Sequence, residues 1–310
     1  RMAVRIASNT EDTEYAKQMM AEAIDGGVIE SNDDNAFFPS MPYNPFWIAS
    51  DWGDLAINAT LSAYMNGYND PRISKYMNTS TSYREYRGVR MGIKDTSKSV
   101  EGSAARYSKP AVTDASPMPV FYAAETYFLK AEAALYDLIA EDVKNLYEAG
   151  VKMSMEEWGI TDAVATAYLS KGSVKPAALT TSDYHYSNYS NPYGFDITAG
   201  NVSPKWDAAA SEEGKLQQII TQKYLALYPN GVEAWTEYRR TGYPYLAALF
   251  DSNLPNKIGA DAKARTPERF SFSTKVHQGN PNMSSLSTLL NGPDKGGTKL
   301  WWVRSGRPVQ

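Results

Sequence analysis

The stretch that most constrains this chain runs from Leu216 to Tyr245, LQQIITQKYLALYPNGVEAWTEYRRTGYPY. Leu216, Ile219, Ile220, Tyr224 and Leu227 recur at the spacing of one helical face. Pro229-Asn230-Gly231 interrupts that face, because the trio favours a turn over continued helix. A second helix follows, with Trp235 and Tyr238 three apart and Arg239-Arg240 after them. Gly242 supplies a left-handed cap, and Pro244 prevents the helix from resuming. The pattern predicts a buried helical hairpin with a cationic end.

Further helices follow from the same reasoning. Residues 10 to 25 read as an amphipathic helix over Ala16, Met19, Met20 and Ala23, with Thr10 as cap or Thr13 as an alternative start. Gly26-Gly27 stops it. A helix is expected from 54 to 66 through Leu55, Ile57, Leu61 and Tyr64. Asn69-Asp70-Pro71 is a turn, with Pro71 placed to begin a short helix. The clearest helix spans 117 to 138, on a face of Phe121, Ala124, Phe128, Ala131 and Leu135. Residues 141 to 150 read as its antiparallel partner, ended at Gly150. A third helix is expected from 154 to 167, with Ser154 as cap and Glu157 at the capping-box position. Strand content should be minor. A short helix to Phe250 and then irregular chain are expected after Tyr245. The fold class is all-α, one domain over 1–310, with no internal repeat at a clean 34-residue period.

Three stretches break the helical pattern: 31–53, 78–117 and 170–206. Long structureless runs inside a compact domain are usually functional or disordered. Here they hold many of the aromatics of a chain with 22 Tyr, 7 Trp and 9 Phe. Tyr and Trp offer flat apolar faces with a polar handle. A sugar ring has one apolar face that stacks on such a plane, while Asp, Asn and Arg take its hydroxyls. Tyr43, Trp47 and Trp52, then Tyr83 and Tyr86, then Tyr184 and Tyr186 are the candidate ligand-binding residues, with Asn44, Asp51, Arg84 and Arg87 in their neighbourhoods. The competing reading is that these rings pin long loops onto the core.

Glu125 and Glu132 stand seven apart on the clearest helix. A glycoside hydrolase needs two carboxylates across a sugar, and seven helical residues rise ~10.5 Å. Both, however, lie among Phe and Ala. Buried carboxylates need cationic partners, and Arg239 and Arg240 are the natural ones. At least one contact between the two pairs is expected. Glu125, Glu132, Trp235, Arg239 and Arg240 are therefore assigned structural roles.

Other chemistries find no support. The chain has no Cys, which excludes disulfides and a thiol nucleophile. His185 and His277 are its two histidines. There is no Gly-x-Ser-x-Gly, no His-Glu-x-x-His and no phosphate loop. A net charge of -4 argues against nucleic acid. No cofactor and no metal is expected. No apolar run approaches the ~18 residues of a membrane span, and no signal peptide is seen.

The segment QKYLALYPNGVEAWTEYRRTGYP resembles the C-terminal signature of the SusD/RagB family of outer-membrane nutrient-binding lipoproteins. PVFYAAETYFLKAEAAL at 119–135, NDPRI at 69–73 and the closing TKLWW at 298–302 resemble further family segments. ARTPERF at 264–270 stands where an Arg-Pro-Tyr-Pro-like segment is common, and lacks its tyrosine. The resemblance implies a tetratricopeptide-like helical scaffold and a cell-surface protein, not an enzyme, that captures a nutrient glycan, or a peptide. It implies delivery to a SusC-like TonB-dependent transporter. It also implies a longer protein whose N-terminal part and lipidated anchor Cys lie outside this chain, which starts Arg1-Met2. The family places recognition in variable loops, so no site residue transfers by identity. The alternatives are a helical-repeat scaffold binding only proteins, or an all-α glycoside hydrolase.

Overall fold

The computed structural model describes residues 1–7, 13–38, 43–90, 105–178, 202–247, 267–304, 306 and 307. In chain order the helices are α1 (Met2–Ala7), α2 (Thr13–Asp25), α3 (Pro45–Asp51), α4 (Ala59–Gly67), α5 (Ile73–Tyr76), α6 (Ala123–Leu135), α7 (Val143–Glu157), α8 (Asp162–Leu169), α9 (Glu212–Ala226), α10 (Gly231–Thr241), α11 (Thr274–Gly279) and α12 (Leu286–Leu289). Short 3-10 turns occupy Asn32–Asp34 and Pro281–Ser285. The strands β1 (Ala36–Phe37) and β2 (Pro119–Phe121) pair antiparallel. Among the described residues the architecture is all-α with one small sheet.

The centre is the pair α6 and α7. Phe128 lies seven residues before Leu135, and Gly150 lies seven after Val143. A Cβ added at Gly150 would meet the Phe128 ring at 3.0 Å. That meeting point is the register of an antiparallel hairpin. The expected break at Gly150 is therefore absent. Glycine lets the two helices approach, and α7 runs through it for 15 residues. Ser154 is accordingly not a cap. It is buried inside α7, and its Oγ accepts from Arg72 Nη1 at 2.8 Å.

α9 packs across this pair, and α8 lies against α7. Leu216, Ile219, Ile220 and Leu225 of α9 join Phe128, Ala131, Tyr147, Val151 and Met155 in one core. The α9–α10 hairpin forms as expected: Asn230 caps α10, and Gly242 takes the left-handed conformation at φ 82°. A satellite core of Ala3, Val4, Met20, Leu129, Ala133 and Leu138 joins α1 and α2 to α6.

Buried tyrosines tie backbone to this core. Tyr64 donates to the Tyr245 carbonyl at 3.1 Å, Tyr68 to Val202 at 2.6 Å, Tyr76 to Leu225 at 2.8 Å and Tyr147 to Pro204 at 2.7 Å. Each buries an aromatic body and satisfies a carbonyl with its hydroxyl. Much of the tyrosine excess is thus structural.

Several boundaries differ from the sequence reading. α4 begins at Ala59 because Asn58 caps it and Ile57 is drawn into bridging bonds with Ser108 and Val89. The clearest helix begins at Ala123, since 119–121 form β2. The Pro71 turn precedes α5 by one residue, Arg72, which stands at the cap position. The stretch 31–47, expected as loop, holds a 3-10 turn, β1 and the start of α3. The tail expected to be irregular contains α11 and α12, and residues 248–250 lie outside the described residues.

Candidate ligand-binding surface

A dense cluster of charges lies largely buried between α1, α6, α9 and α10. Glu132 and Arg240 form a bidentate pair at 2.6 Å for both bonds, which is the contact expected between the glutamates of α6 and the arginines of α10. Arg240 also reaches Glu237 at 2.6 Å. Glu125 accepts from Arg1 at 2.6 and 2.7 Å, and Arg5 pairs with Glu233 and Glu237. The buried Lys223 ammonium lies 3.2 Å from Glu237 and 3.8 Å from Glu125. Burial opposes ionisation of Glu237, but Arg240 and Lys223 beside it hold its carboxyl well below the usual carboxylate range. Glu233, mainly through burial, is shifted the other way. Each glutamate is occupied by a cation, so this cluster has no free carboxylate pair across a cleft of the kind glycoside hydrolysis requires.

Arg239 takes no part in that network. Its guanidinium lies 3.7 Å from the centre of the Trp235 ring and 5.1 Å from that of Trp302. It donates to the Glu268 carbonyl at 2.7 Å. Trp235 meets Phe270 at 5.4 Å. These residues clasp the C-terminal segment to the end of α10.

The exposed aromatics sit in a different layer. Asn44 has its side chain in two jobs. Its Oδ1 accepts from the amides of Phe46 and Trp47 at 2.9 and 3.1 Å, capping α3, and its Nδ2 donates to the Ser116 carbonyl at 2.8 Å. Pro45 follows at the first helical position, where its missing N–H costs nothing. Asn44 is only 2% exposed. It therefore supports the surface and does not offer an amide to a sugar hydroxyl. The cap places Trp47 beside Tyr43, with ring centres 6.1 Å apart and planes 22° from parallel. Tyr43 is 55% exposed. Trp52, 67% exposed, closes the far end of α3. It makes no ring contact with the pair among the described residues. Five helical residues from Trp47 turn the side chain by roughly 140° around the axis.

The second aromatic loop is a turn at 80–85. Ser80 N–H donates to the Glu85 carbonyl at 2.9 Å, and Arg84 N–H donates to the Ser80 carbonyl at 2.8 Å. Arg84 takes a left-handed φ of 57°, a conformation that costs roughly 1–2 kcal/mol for a residue with a side chain. Tyr83 is 41% exposed, and the Arg87 guanidinium lies 4.1 Å from its ring centre. Tyr86 differs from the other candidates: it is half-buried and packs on the main core. Tyr184, Tyr186 and His185 lie outside the described residues.

Segment 105–116 joins the two loops. On one side, Ser108 N–H donates to the Arg87 carbonyl at 2.7 Å, Arg87 N–H donates to Ser108 Oγ at 2.9 Å, and Asn78 N–H donates to the Lys109 carbonyl at 2.9 Å. On the other, Ile57 N–H donates to the Ser108 carbonyl at 2.9 Å. Lys109 Nζ donates to the Ser50 and Leu55 carbonyls at 3.1 and 2.8 Å. Burial pushes the Lys109 ammonium below its ordinary pKa. The sequence reading missed Ser108 and Lys109, although Asn44-Pro45 was an available helix-start signal for α3. Two cavities of about 400 and 360 Å³ lie elsewhere, the first among Met2, Met20, Ile24 and Leu129, the second around Ser173, Asp207 and Gln218.

Comparison with known proteins returns one family. A family model described as SusD-like, SusD and RagB outer membrane lipoprotein, matches residues 1–303. The solved structure of BT1043 is 44% identical, with a TM-score of 0.88 over 100% of this chain and 63% of that one. A SusD-like protein from Bacteroides thetaiotaomicron is 33% identical, with a TM-score of 0.84 over 99% of this chain and 62% of its own. A chitin-binding SusD homologue from Flavobacterium johnsoniae is 35% identical, with a TM-score of 0.83 over 98% of this chain and 61% of its own. The chain thus spans a little over three fifths of the length of these structures. No functionally curated protein matches the sequence.

Proposed function

This chain belongs to the SusD-like family of SusD and RagB outer membrane lipoproteins, and from that premise we propose that it captures a nutrient glycan at the cell surface and delivers it to a SusC-like TonB-dependent transporter. Binding, without turnover, is the activity. The observation that carries this reading is the stack of exposed Tyr43 on half-buried Trp47, at the start of a helix capped by a buried asparagine. An apolar plane fixed at the surface suits the apolar face of a sugar ring, and it costs little side-chain entropy to hold in place. The chitin-binding homologue makes chains of N-acetylglucosamine the first ligand to try. The outer-membrane location follows the family; among the described residues no helix is long and apolar enough to cross a membrane.

The test is calorimetry and affinity electrophoresis against chitin oligosaccharides and a panel of soluble glycans. Trp47→Ala should weaken binding by about tenfold, or about 1.4 kcal/mol, while the unfolding midpoint moves little. Full retention of affinity in that variant would remove α3 from the binding surface. Release of shortened product would establish a hydrolase instead.

A further inference from the structure

The two aromatic loops are not independent attachments to the core. α3 is held at its start by Asn44, whose backbone N–H donates to the Asp114 carbonyl at 2.9 Å and whose side chain reaches Ser116. It is held at its end by Lys109, whose ammonium donates to the Ser50 and Leu55 carbonyls. The turn carrying Tyr83 is held by Ser82 N–H donating to the Ala105 carbonyl at 3.1 Å, and by the paired bonds between Arg87 and Ser108. All of these anchors lie in one segment, 105–116. Ser108 is fully buried and touches both sides at once. Its amide and hydroxyl meet Arg87, and its carbonyl meets Ile57 next to α4.

We infer that segment 105–116 braces the Tyr43–Trp47 surface and the Tyr83–Arg87 surface into one extended face, making Ser108 and Lys109 positioning residues that favour long glycan chains over short ones. This inference rests on the glycan-capture reading for its ligand, but not for its mechanics. A chain long enough to meet both surfaces engages the second intramolecularly, and its gain depends on how well the spacing is held. A ligand covering one surface gains nothing from the brace. Ser108 and Lys109 touch no ligand in this scheme. Their effect must therefore emerge as a dependence on chain length, which a merely structural residue would not produce.

Two measurements decide it. In hydrogen exchange on the unliganded protein, Ser108→Ala and Lys109→Met each attack one edge of the brace. Each should raise exchange about tenfold in both 43–56 and 78–90, with the rest of the molecule unchanged. Lys109→Arg, which keeps the donor, should restore protection. Exchange that rises only beside the altered residue, or not at all, overturns the brace. In titrations with N-acetylglucosamine hexamer and dimer, both variants should lose about tenfold for the hexamer and less than about twofold for the dimer. Equal losses for the two lengths overturn the chain-length role. Trp47→Ala separates the two readings. If it still binds hexamer normally, the glycan surface is misplaced, and the exchange experiment alone decides the brace. If Ser108→Ala does not fold, the Lys109→Met and Lys109→Arg pair carries both measurements.

Discussion

Around α6, charge is answered by charge: Glu125, Glu132, Glu233 and Glu237, all buried, face Arg1, Arg5, Lys223 and Arg240. Over residues 43–58, 76–90 and 105–116, backbone is hydrogen-bonded segment to segment, while Tyr43, Trp52 and Tyr83 face outward. The charged interior has the residue types of an active site and holds the fold. The aromatic layer has the composition of plain loop and presents exposed rings. The difference is in what remains unpartnered. A bidentate buried pair has no capacity left for substrate, whereas Tyr43 beside Trp47 and Tyr83 under Arg87 stay 55% and 41% exposed.

The largest effect expected in the core comes from its tyrosines. Burial pushes the Tyr76 hydroxyl up to about 12, and Tyr64, Tyr68, Tyr147 and Tyr168 are raised still more strongly by the same cause. The folded protein therefore retains protons that the unfolded chain releases near pH 10. Their stabilisation is complete below about pH 10 and is lost progressively above it, for Tyr76 as pH rises through about 12. Tyr76 alone accounts for a loss on the order of 3 kcal/mol across that window. Cooperative alkaline unfolding between those values, followed by tyrosinate absorbance and circular dichroism together, is the expected outcome. Tyrosinate in excess of what the exposed tyrosines can supply, forming well below the unfolding transition, would mean that water reaches these rings in the folded core.

Next in size is Arg240→Ala. Removing Arg240 strips Glu132 of its buried cation and leaves Glu237 to Lys223 and Arg5, which costs about 3–5 kcal/mol. Chemical denaturation should show that loss, while the folded fraction keeps its glycan affinity. Acid should act in the same direction. The contribution of Glu237 is present above the ordinary carboxylate range and disappears as pH falls below it, through its depressed folded value. A variant that unfolds no more easily but binds more weakly would break the division between the two regions.

The core was more legible in the sequence than the surface, for a physical reason. Periodicity reports burial, so the faces of α6, α9 and α10, and the Glu132–Arg240 contact between them, could be read from spacing and from the need to neutralise a buried charge. Gly150 misled because a glycine reads as a helix stop unless its neighbour is known. Here the neighbour is the Phe128 ring, distant in sequence. In the loop layer, grouping the aromatics by sequence joined residues that the structure separates. Tyr43 and Trp47 stack, Trp52 turns away and Tyr86 belongs to the core. Ser108 and Lys109 carry no local signal, since their bonds span segments that only the fold brings together.

The smallest effect expected concerns the Arg87 side chain. Its backbone bonds to Ser108 survive truncation, so Arg87→Ala removes only the guanidinium over Tyr83 and a 3.4 Å pair with exposed Glu85. The Arg87 side chain is only 14% exposed, which puts the cation–π contact between the ~0.5–1 kcal/mol of exposed sites and the ~2 kcal/mol of desolvated ones, with little added by the ion pair. Stability should therefore fall by about 1–2 kcal/mol, and affinity for a long glycan by about two- to fivefold, as Tyr83 loses the group that fixes its plane. Compared with Tyr83→Ala, the result sharpens the contrast between regions. If both variants weaken binding and the arginine change is the smaller, the ring makes the contact and the guanidinium orients it. If only Tyr83→Ala weakens binding, the ring needs no orienting cation. If neither does, the second loop lies off the binding face, and recognition on the described surface contracts to α3.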